Sequence, residues 1–149
     1  MVILTDTITI DAAPEAIFQF FEDMERHYLQ WHPDHVLFRW EKGHDLREGN
    51  VFYFEEKIAG KLLRKRVVFT RVHRYDRIEF APTFWLMRLF LPRIAFRIER
   101  QQAGCNLVAE IHLRMGPLAA WLNARELAAV REHMRAEGQN LKQIVEAAG

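Results

Sequence analysis

Two histidines and an aspartate crowd a short stretch early in the chain. His32 and His35 flank Asp34 within the segment Met24–Trp40, where Pro33 interrupts a predicted helix. Imidazole nitrogens and carboxylate oxygens can bind zinc, iron or manganese, or hydrogen-bond the polar end of a ligand. The spacing matches no established metal motif and is a far weaker signal than His-Glu-x-x-His. The alternative is a plain turn, in which the proline ends the helix and the histidines pack or face solvent.

Another histidine and a glutamate lie one helical turn apart near the C-terminus. His133 and Glu137 border the apolar stripe of a predicted long helix. At about 100° per residue, Glu137 lies roughly 40° from the centre of that stripe and His133 lies nearer its edge. The two either form an ordinary pair on a solvated flank, or point inward to meet a ligand, a metal or each other. The stripe itself consists of Leu127, Val130, Met134, Leu141 and Val145.

One further carboxylate occupies an unexpected position in a strand pattern. Glu56 alternates in step with Phe52, Phe54 and Ile58, which should face the core. A buried, unpaired carboxylate is costly, so it should find a partner or stay protonated. The alternative is a bulge that turns Glu56 outward and Glu55 inward, or a place near the sheet edge.

Several kinds of chemistry are excluded or disfavoured by composition. The 149 residues include no serine and a single cysteine, Cys105. A disulfide framework and a multi-cysteine zinc site are therefore excluded, and serine or cysteine nucleophilic catalysis is excluded or disfavoured. No glycine-rich phosphate loop is present. The net charge of +1 argues against a nucleic-acid partner, and Lys61–Arg66 is explained by a solvated hairpin.

The elements that must position these side chains follow from periodicity. Alternation predicts a first strand over Val2–Asp11, and Pro14 fits the first turn of a helix. A second short helix is predicted over Asp23–Trp31, followed by five or six strands. Asn123 and Glu126 resemble a capping box at the start of the long C-terminal helix.

This order of elements resembles the helix-grip fold of the SRPBCC superfamily, which includes START-like and polyketide cyclase-like domains. The segments that carry the resemblance are Ile8–Phe18, with its strand, proline-started helix and aromatics, and Glu137–Lys142 in the last helix. The resemblance implies an α+β fold in one domain over residues 1–149. A curved antiparallel sheet would wrap around the long helix and leave an apolar cavity. Members bind lipids, sterols, polyketides or quinones, and some are enzymes.

We therefore expect a cavity that binds a small hydrophobic or aromatic molecule, with no cofactor. One alternative is a cyclase, dehydratase or hydrolase that uses His133, Glu137 or Glu56 as acid and base. A weaker variant of it adds a metal on His32, His35, His133 and Glu137. The predicted ligand-binding residues are His32, His35, Phe52, Phe54, Glu56, Trp85, Val130, His133, Met134 and Glu137.

A last alternative is an interaction module. Residues 84–92 are unusually apolar for a hairpin connection and suit a cavity rim, a homodimer contact or a membrane-touching lip, besides plain core packing.

With no run of 18 apolar residues and no secretory signal, we expect a cytoplasmic protein without stable membrane insertion.

Overall fold

Alternating apolar residues build a sheet, and two short segments after the first strand and one long amphipathic segment at the C-terminus build the helices that pack on it. A computed structural model describes residues 1–149. The elements in chain order are β1 (Val2–Ile10), α1 (Pro14–Glu22), α2 (Met24–Trp31), β2 (His35–Lys42), β3 (Val51–Ile58), β4 (Lys61–His73), β5 (Arg77–Pro82), α3 (Trp85–Phe90), β6 (Arg93–Arg100), β7 (Cys105–Leu113), α4 (Pro117–Leu122) and α5 (Ala124–Ala148).

The seven strands form one antiparallel sheet in the order β1-β7-β6-β5-β4-β3-β2. Strands β2 to β7 follow one another as neighbours, so the only long crossover is the α1–α2 segment that joins the two edges. The sheet curls around α5, which packs against β1, β3 and α2. This confirms the predicted α+β helix-grip fold.

The core lies between the concave face of the sheet and the helices. Ile10, Ile17 and Leu141 are fully buried there, and the aromatic rings of α1, α2 and β3 pack around them. The long strand β4 shifts register between Phe69 and Arg71, as its broken alternation predicts. None of the helices is long and apolar enough to span a bilayer.

One local prediction was wrong. The side chain of Asn123 does not cap α5 but donates its amide to the Ala119 carbonyl oxygen at 2.8 Å, so no capping box forms. Within the apolar connection at 84–92, the alternative of core packing applies to Leu91, which is buried in the core. The preceding residues form α3, none of which is buried, and Trp85 is 67% exposed.

Candidate functional site

An apolar cavity of about 190 Å³ separates the sheet from α5. Of its 33 lining residues 26 are hydrophobic, contributed by both short N-terminal helices, by the sheet and by α5. An engineered apolar cavity of roughly 150 Å³ is enough to hold benzene. The space therefore suits a molecule of one or two aromatic rings. The polar residues in its wall include Asp6, Glu56, His133 and Glu137.

Three separate elements bring two histidines and two glutamates together in and behind this wall. His35 begins β2, and a register shift between His35 and Leu37 disturbs the strand at that point. Glu56 on β3 is the strand partner directly opposite His35. His133 and Glu137 approach from α5, one turn apart. The alternative bulge that would turn Glu56 outward does not occur, because β3 pairs with β4 in unbroken register.

The four side chains converge through a single atom each. His35 Nε2 lies 2.7 Å from Glu137 Oε2 and 3.7 Å from Glu56 Oε2. His133 Nε2 lies 3.2 Å from the same Glu56 oxygen and 3.3 Å from the same Glu137 oxygen. His35, Glu56 and His133 are buried, and the Glu137 side chain is 17% exposed. We call these four residues the His–Glu cluster.

Helix α2 fixes the orientation of the cluster. The carbonyl oxygen of Tyr28 accepts a hydrogen bond from His35 Nδ1 at 2.8 Å, and the Tyr28 ring stacks on the imidazole at 4.0 Å. Because a carbonyl only accepts, Nδ1 carries a proton and Nε2 faces the carboxylates. Trp31 Nε1 donates to the Glu137 carbonyl oxygen at 2.8 Å, which ties α5 to α2.

The cluster is strongly charged for a buried site. Burial alone would lower the pKa of His133, but hydrogen bonds and charge attraction from Glu137 and Glu56 raise it to about 10. Burial would raise the pKa of Glu137, yet the hydrogen bonds from His133 and His35 hold it well below its usual range. Burial, with Glu56 and Glu137 nearby, raises the pKa of Tyr28. At neutral pH the cluster therefore holds a His133 imidazolium against a Glu137 carboxylate.

His32 lies beside the cluster but makes different contacts. Its ring centroid is 4.3 Å from that of His133, and its Nδ1 accepts a hydrogen bond from the Asp34 backbone N–H at 2.9 Å. Burial, and then the neighbouring His133 and His35, lower the pKa of His32. We conclude that it is a neutral imidazole packed against the ring of His133.

The predicted ligand-binding residues fall into two groups in the structure. Seven line the cavity: Phe52, Phe54, Glu56, Val130, His133, Met134 and Glu137. His32 and His35 are buried, but they do not line it. Trp85 on α3 does not line the cavity, and it is 67% exposed.

Asp6 and α2 supply lining residues that the sequence argument missed. Asp6 shares strand parity with Leu4 and Ile8, so the alternation of β1 already indicated that its side chain faces inward. Burial raises the pKa of its carboxyl group, while Arg135 partly opposes that shift. Tyr28 and Trp31 lie three residues apart on α2, the spacing of one helix face, and both line the cavity.

Comparison with known proteins places this architecture. A family model described as polyketide cyclase / dehydrase and lipid transport matches residues 1–146. No curated protein matches by sequence.

Solved structures with the same fold share little sequence. TTHA0849 from Thermus thermophilus has a TM-score of 0.77 at 14% identity, with 99% of each chain covered. The ginseng major latex-like protein 151 from Panax ginseng has a TM-score of 0.65 at 12% identity, covering 89% of this chain and 96% of that one. BexL, a di-domain ARO/CYC from the BE-7585A biosynthetic pathway, has a TM-score of 0.71 at 17% identity, covering 97% of this chain and 50% of that one.

These likenesses to solved structures establish the fold and leave the ligand open. The family model spans nearly the whole chain and agrees with the sheet, the long helix and the cavity between them. The chain belongs to the polyketide cyclase / dehydrase and lipid transport family of the SRPBCC superfamily.

Proposed function

We propose that the protein binds a small hydrophobic or aromatic molecule in the cavity, with a polar end directed to Glu56, His133 and Glu137. The observation that carries the proposal is the combination of a mainly hydrophobic lining with a charged His–Glu cluster in its wall. Apolar pockets with a few convergent polar groups are typical ligand sites. The imidazolium of His133 is suited to donate to a hydroxyl or carbonyl oxygen of the ligand.

The charge state of His133 favours binding over acid–base catalysis. A general acid or base works best with a pKa near the operating pH. A histidine whose pKa is raised to about 10 keeps its proton at neutral pH and releases it poorly. Two carboxylates beside it stabilise that charged form. We therefore rank the cyclase, dehydratase or hydrolase alternative behind ligand binding.

A pair of probes tests both parts of the proposal. The protein is expected to bind 2-naphthol roughly tenfold more tightly than naphthalene, because one charge-assisted hydrogen bond contributes about 1.5 kcal/mol. Quenching of tryptophan fluorescence reports the affinity, since Trp31 and Trp40 line the cavity. Equal affinities would contradict the polar anchor, and binding of neither probe would contradict the proposal.

Filling the cavity supplies the matched control. Val130→Phe adds volume at a lining position of α5 and should weaken binding of both probes about tenfold. Arg131→Phe places the same ring at the next, exposed position and should leave both affinities unchanged. Equal effects of the two changes would show that the probes bind elsewhere.

A second candidate function, surface docking, is favoured by two short helices. The side chains of Phe84, Trp85, Phe90, Leu118, Trp121 and Leu122 are between 55% and 74% exposed. The Arg114 backbone N–H donates to the Phe90 carbonyl oxygen at 2.8 Å, which joins the end of α3 to the segment leading into α4. We call residues 84–90 and 117–122 the apolar lip.

The charges around the apolar lip indicate an anionic lipid surface as its partner. Segments 84–93 and 114–125 contain four arginines and no carboxylate. Basic residues beside exposed aromatic and leucine side chains suit a membrane interface, whereas a second copy would bring like charges together. Leu91 and Leu113, adjacent to the lip, line the cavity, so an apolar ligand would have a short path between lipid and protein.

The lip is tested by co-sedimentation with vesicles of equal parts phosphatidylcholine and phosphatidylglycerol. The double change Trp85→Asp and Phe90→Asp removes two apolar side chains and adds two like charges, so bound protein should fall at least about tenfold. Leu29→Asp, at an exposed position on α2, should bind as the unaltered chain does. If the double change instead abolishes a dimer seen by size exclusion and vesicles bind neither form, a second copy is the partner and the lipid proposal fails.

A further inference from the structure

We propose that the His–Glu cluster (His35, Glu56, His133 and Glu137) is a binding site for one divalent transition-metal ion. One nitrogen or oxygen atom from each residue lies within 4.8 Å of the other three. Two imidazole nitrogens and two carboxylate oxygens form a donor set that suits zinc, iron or manganese. The metal set predicted from sequence had His32 in the place that Glu56 takes here.

The separations within the cluster match those of a coordination sphere. Ligand atoms about 2.1 Å from a tetrahedral metal lie about 3.4 Å from one another. The two distances from His133 Nε2, 3.2 and 3.3 Å, are close to that value. The His35 distances of 2.7 and 3.7 Å lie on either side of it. The separation between the two nitrogens and that between the two oxygens are each within 4.8 Å.

The sharing of carboxylate oxygens supports a common centre. The same Oε2 atom of Glu56 lies near both imidazole nitrogens, and so does the same Oε2 atom of Glu137. Separate ion pairs could use either oxygen of each carboxylate. Four donor atoms close to one another are what a single cation requires.

The surrounding structure orients one of the imidazole donors toward the cluster. Metal-binding histidines usually donate their second ring nitrogen to a carboxylate or a carbonyl. His35 does so, because its Nδ1 donates to the Tyr28 carbonyl oxygen at 2.8 Å and leaves Nε2 toward the cluster. The backbone of Glu137 is held by Trp31. The site therefore has a supporting shell as well as its four donors.

The place of the site in the cavity wall gives the metal a role. Glu56, His133 and Glu137 all line the cavity, so one side of a bound ion would face the ligand. This part of the inference rests on the proposed function. Binding of the ion would release the Nε2 protons of His35 and His133, so the ion would replace the His133 imidazolium as the partner of the ligand's polar end. The ion would take a hydroxyl, carboxylate or enolisable carbonyl oxygen as a further ligand, which narrows the class of molecule to apolar compounds with such a group.

Cobalt(II) titration of chelator-treated protein tests the site directly. One equivalent should bind and give the visible absorption of low-coordinate Co(II) with nitrogen and oxygen donors, and zinc should displace it. No organic ligand is needed, so the outcome is independent of naphthol binding. Absence of binding by the unaltered chain would overturn the inference and leave the proposed function standing. Metal binding without naphthol binding would support the metal site and contradict the proposed function.

Single substitutions assign the donors. His35→Gln and Glu137→Gln should each weaken cobalt binding at least about 100-fold, because losing a direct ligand costs more than losing a supporting contact. His112→Gln changes a histidine that lies 3.6 Å from Glu110 outside the cluster and should bind as before. Circular dichroism confirms folding of each variant. If His32→Gln abolishes binding while His35→Gln preserves it, the metal lies at the neighbouring His32, Asp34 and His133 group and the assignment fails.

Discussion

Replacing Glu137 with alanine is expected to lower the free energy of unfolding by about 3 kcal/mol in the metal-free protein. The change leaves His35 and His133 buried with Glu56 as their remaining carboxylate partner. Removing one member of a buried charged group costs more than the group contributes as a whole, because the remaining charges stay out of water. Thermal unfolding with EDTA present should show a decrease of about 6–12 °C.

The pH dependence distinguishes lost ion pairing from lost packing. The pKa of His133 is raised from 6.5 to about 10, so its contribution is complete below pH 6.5 and is lost as the pH rises through 10. The pKa of Glu137 is lowered from 4.5 to about 2, so its contribution is complete above pH 4.5 and is lost as the pH falls through 2. The stability difference between the unaltered chain and Glu137→Ala should therefore be largest between pH 4.5 and 6.5.

Another glutamate on the same helix provides the control. Glu132 forms an exposed pair with Arg135, and solvent screens such surface pairs so that they contribute little to stability. Glu132→Ala should therefore change stability little and show no maximum near pH 5 to 6. A Glu137→Ala deficit that increases between pH 6 and pH 9 would contradict the assigned charge states.

Local pattern was enough to predict the elements and their order, and the resemblance of that order to the SRPBCC superfamily supplied the fold. Pro14 begins α1, and the predicted second helix over Asp23–Trp31 appears as α2, Met24–Trp31. Parity also placed Glu56 on the inner face of β3. The same argument from strand parity applied to Asp6. It alternates in step with apolar residues of β1, so its inward orientation was predictable as well.

The members of the His–Glu cluster depend on features that no local pattern contains. His35 reaches His133 and Glu137 because of a register shift in β2, and such shifts follow from the pairing of whole strands. His32, three residues earlier, was an equally good candidate by composition, yet its ring packs against His133 and makes no contact with the two glutamates of the cluster. Trp85 lies outside the cavity lining, because apolar content does not reveal whether a short helix covers the core or faces solvent.

Gly104→Ala is expected to lower the free energy of unfolding by about 3–4 kcal/mol, well above the usual effect of a single surface substitution. Gly104 precedes β7 in a left-handed conformation with φ of +77°, and an added Cβ would lie 2.2 Å from the Ile10 carbonyl oxygen. Because that neighbour is backbone, either β1 or the turn must move. Urea unfolding gives the stability and, through an unchanged m-value, confirms that the same transition is compared.

Gly60 separates the clash from the conformational cost. It has a nearly identical φ of +76°, also in a hairpin turn, but an added Cβ there meets nothing within 4 Å. Gly60→Ala should therefore lower the free energy of unfolding by only about 1–2 kcal/mol, which is the cost of placing alanine in the left-handed conformation. A similar loss of stability at both positions would mean that the end of β1 can shift to accommodate the added Cβ without a further cost. The larger loss at Gly104 is expected because Ile10 pairs with Cys105 and leads directly into α1 and then α2. The turn at Gly104 thus supports the path of the helix that holds His35 and Glu137 in place.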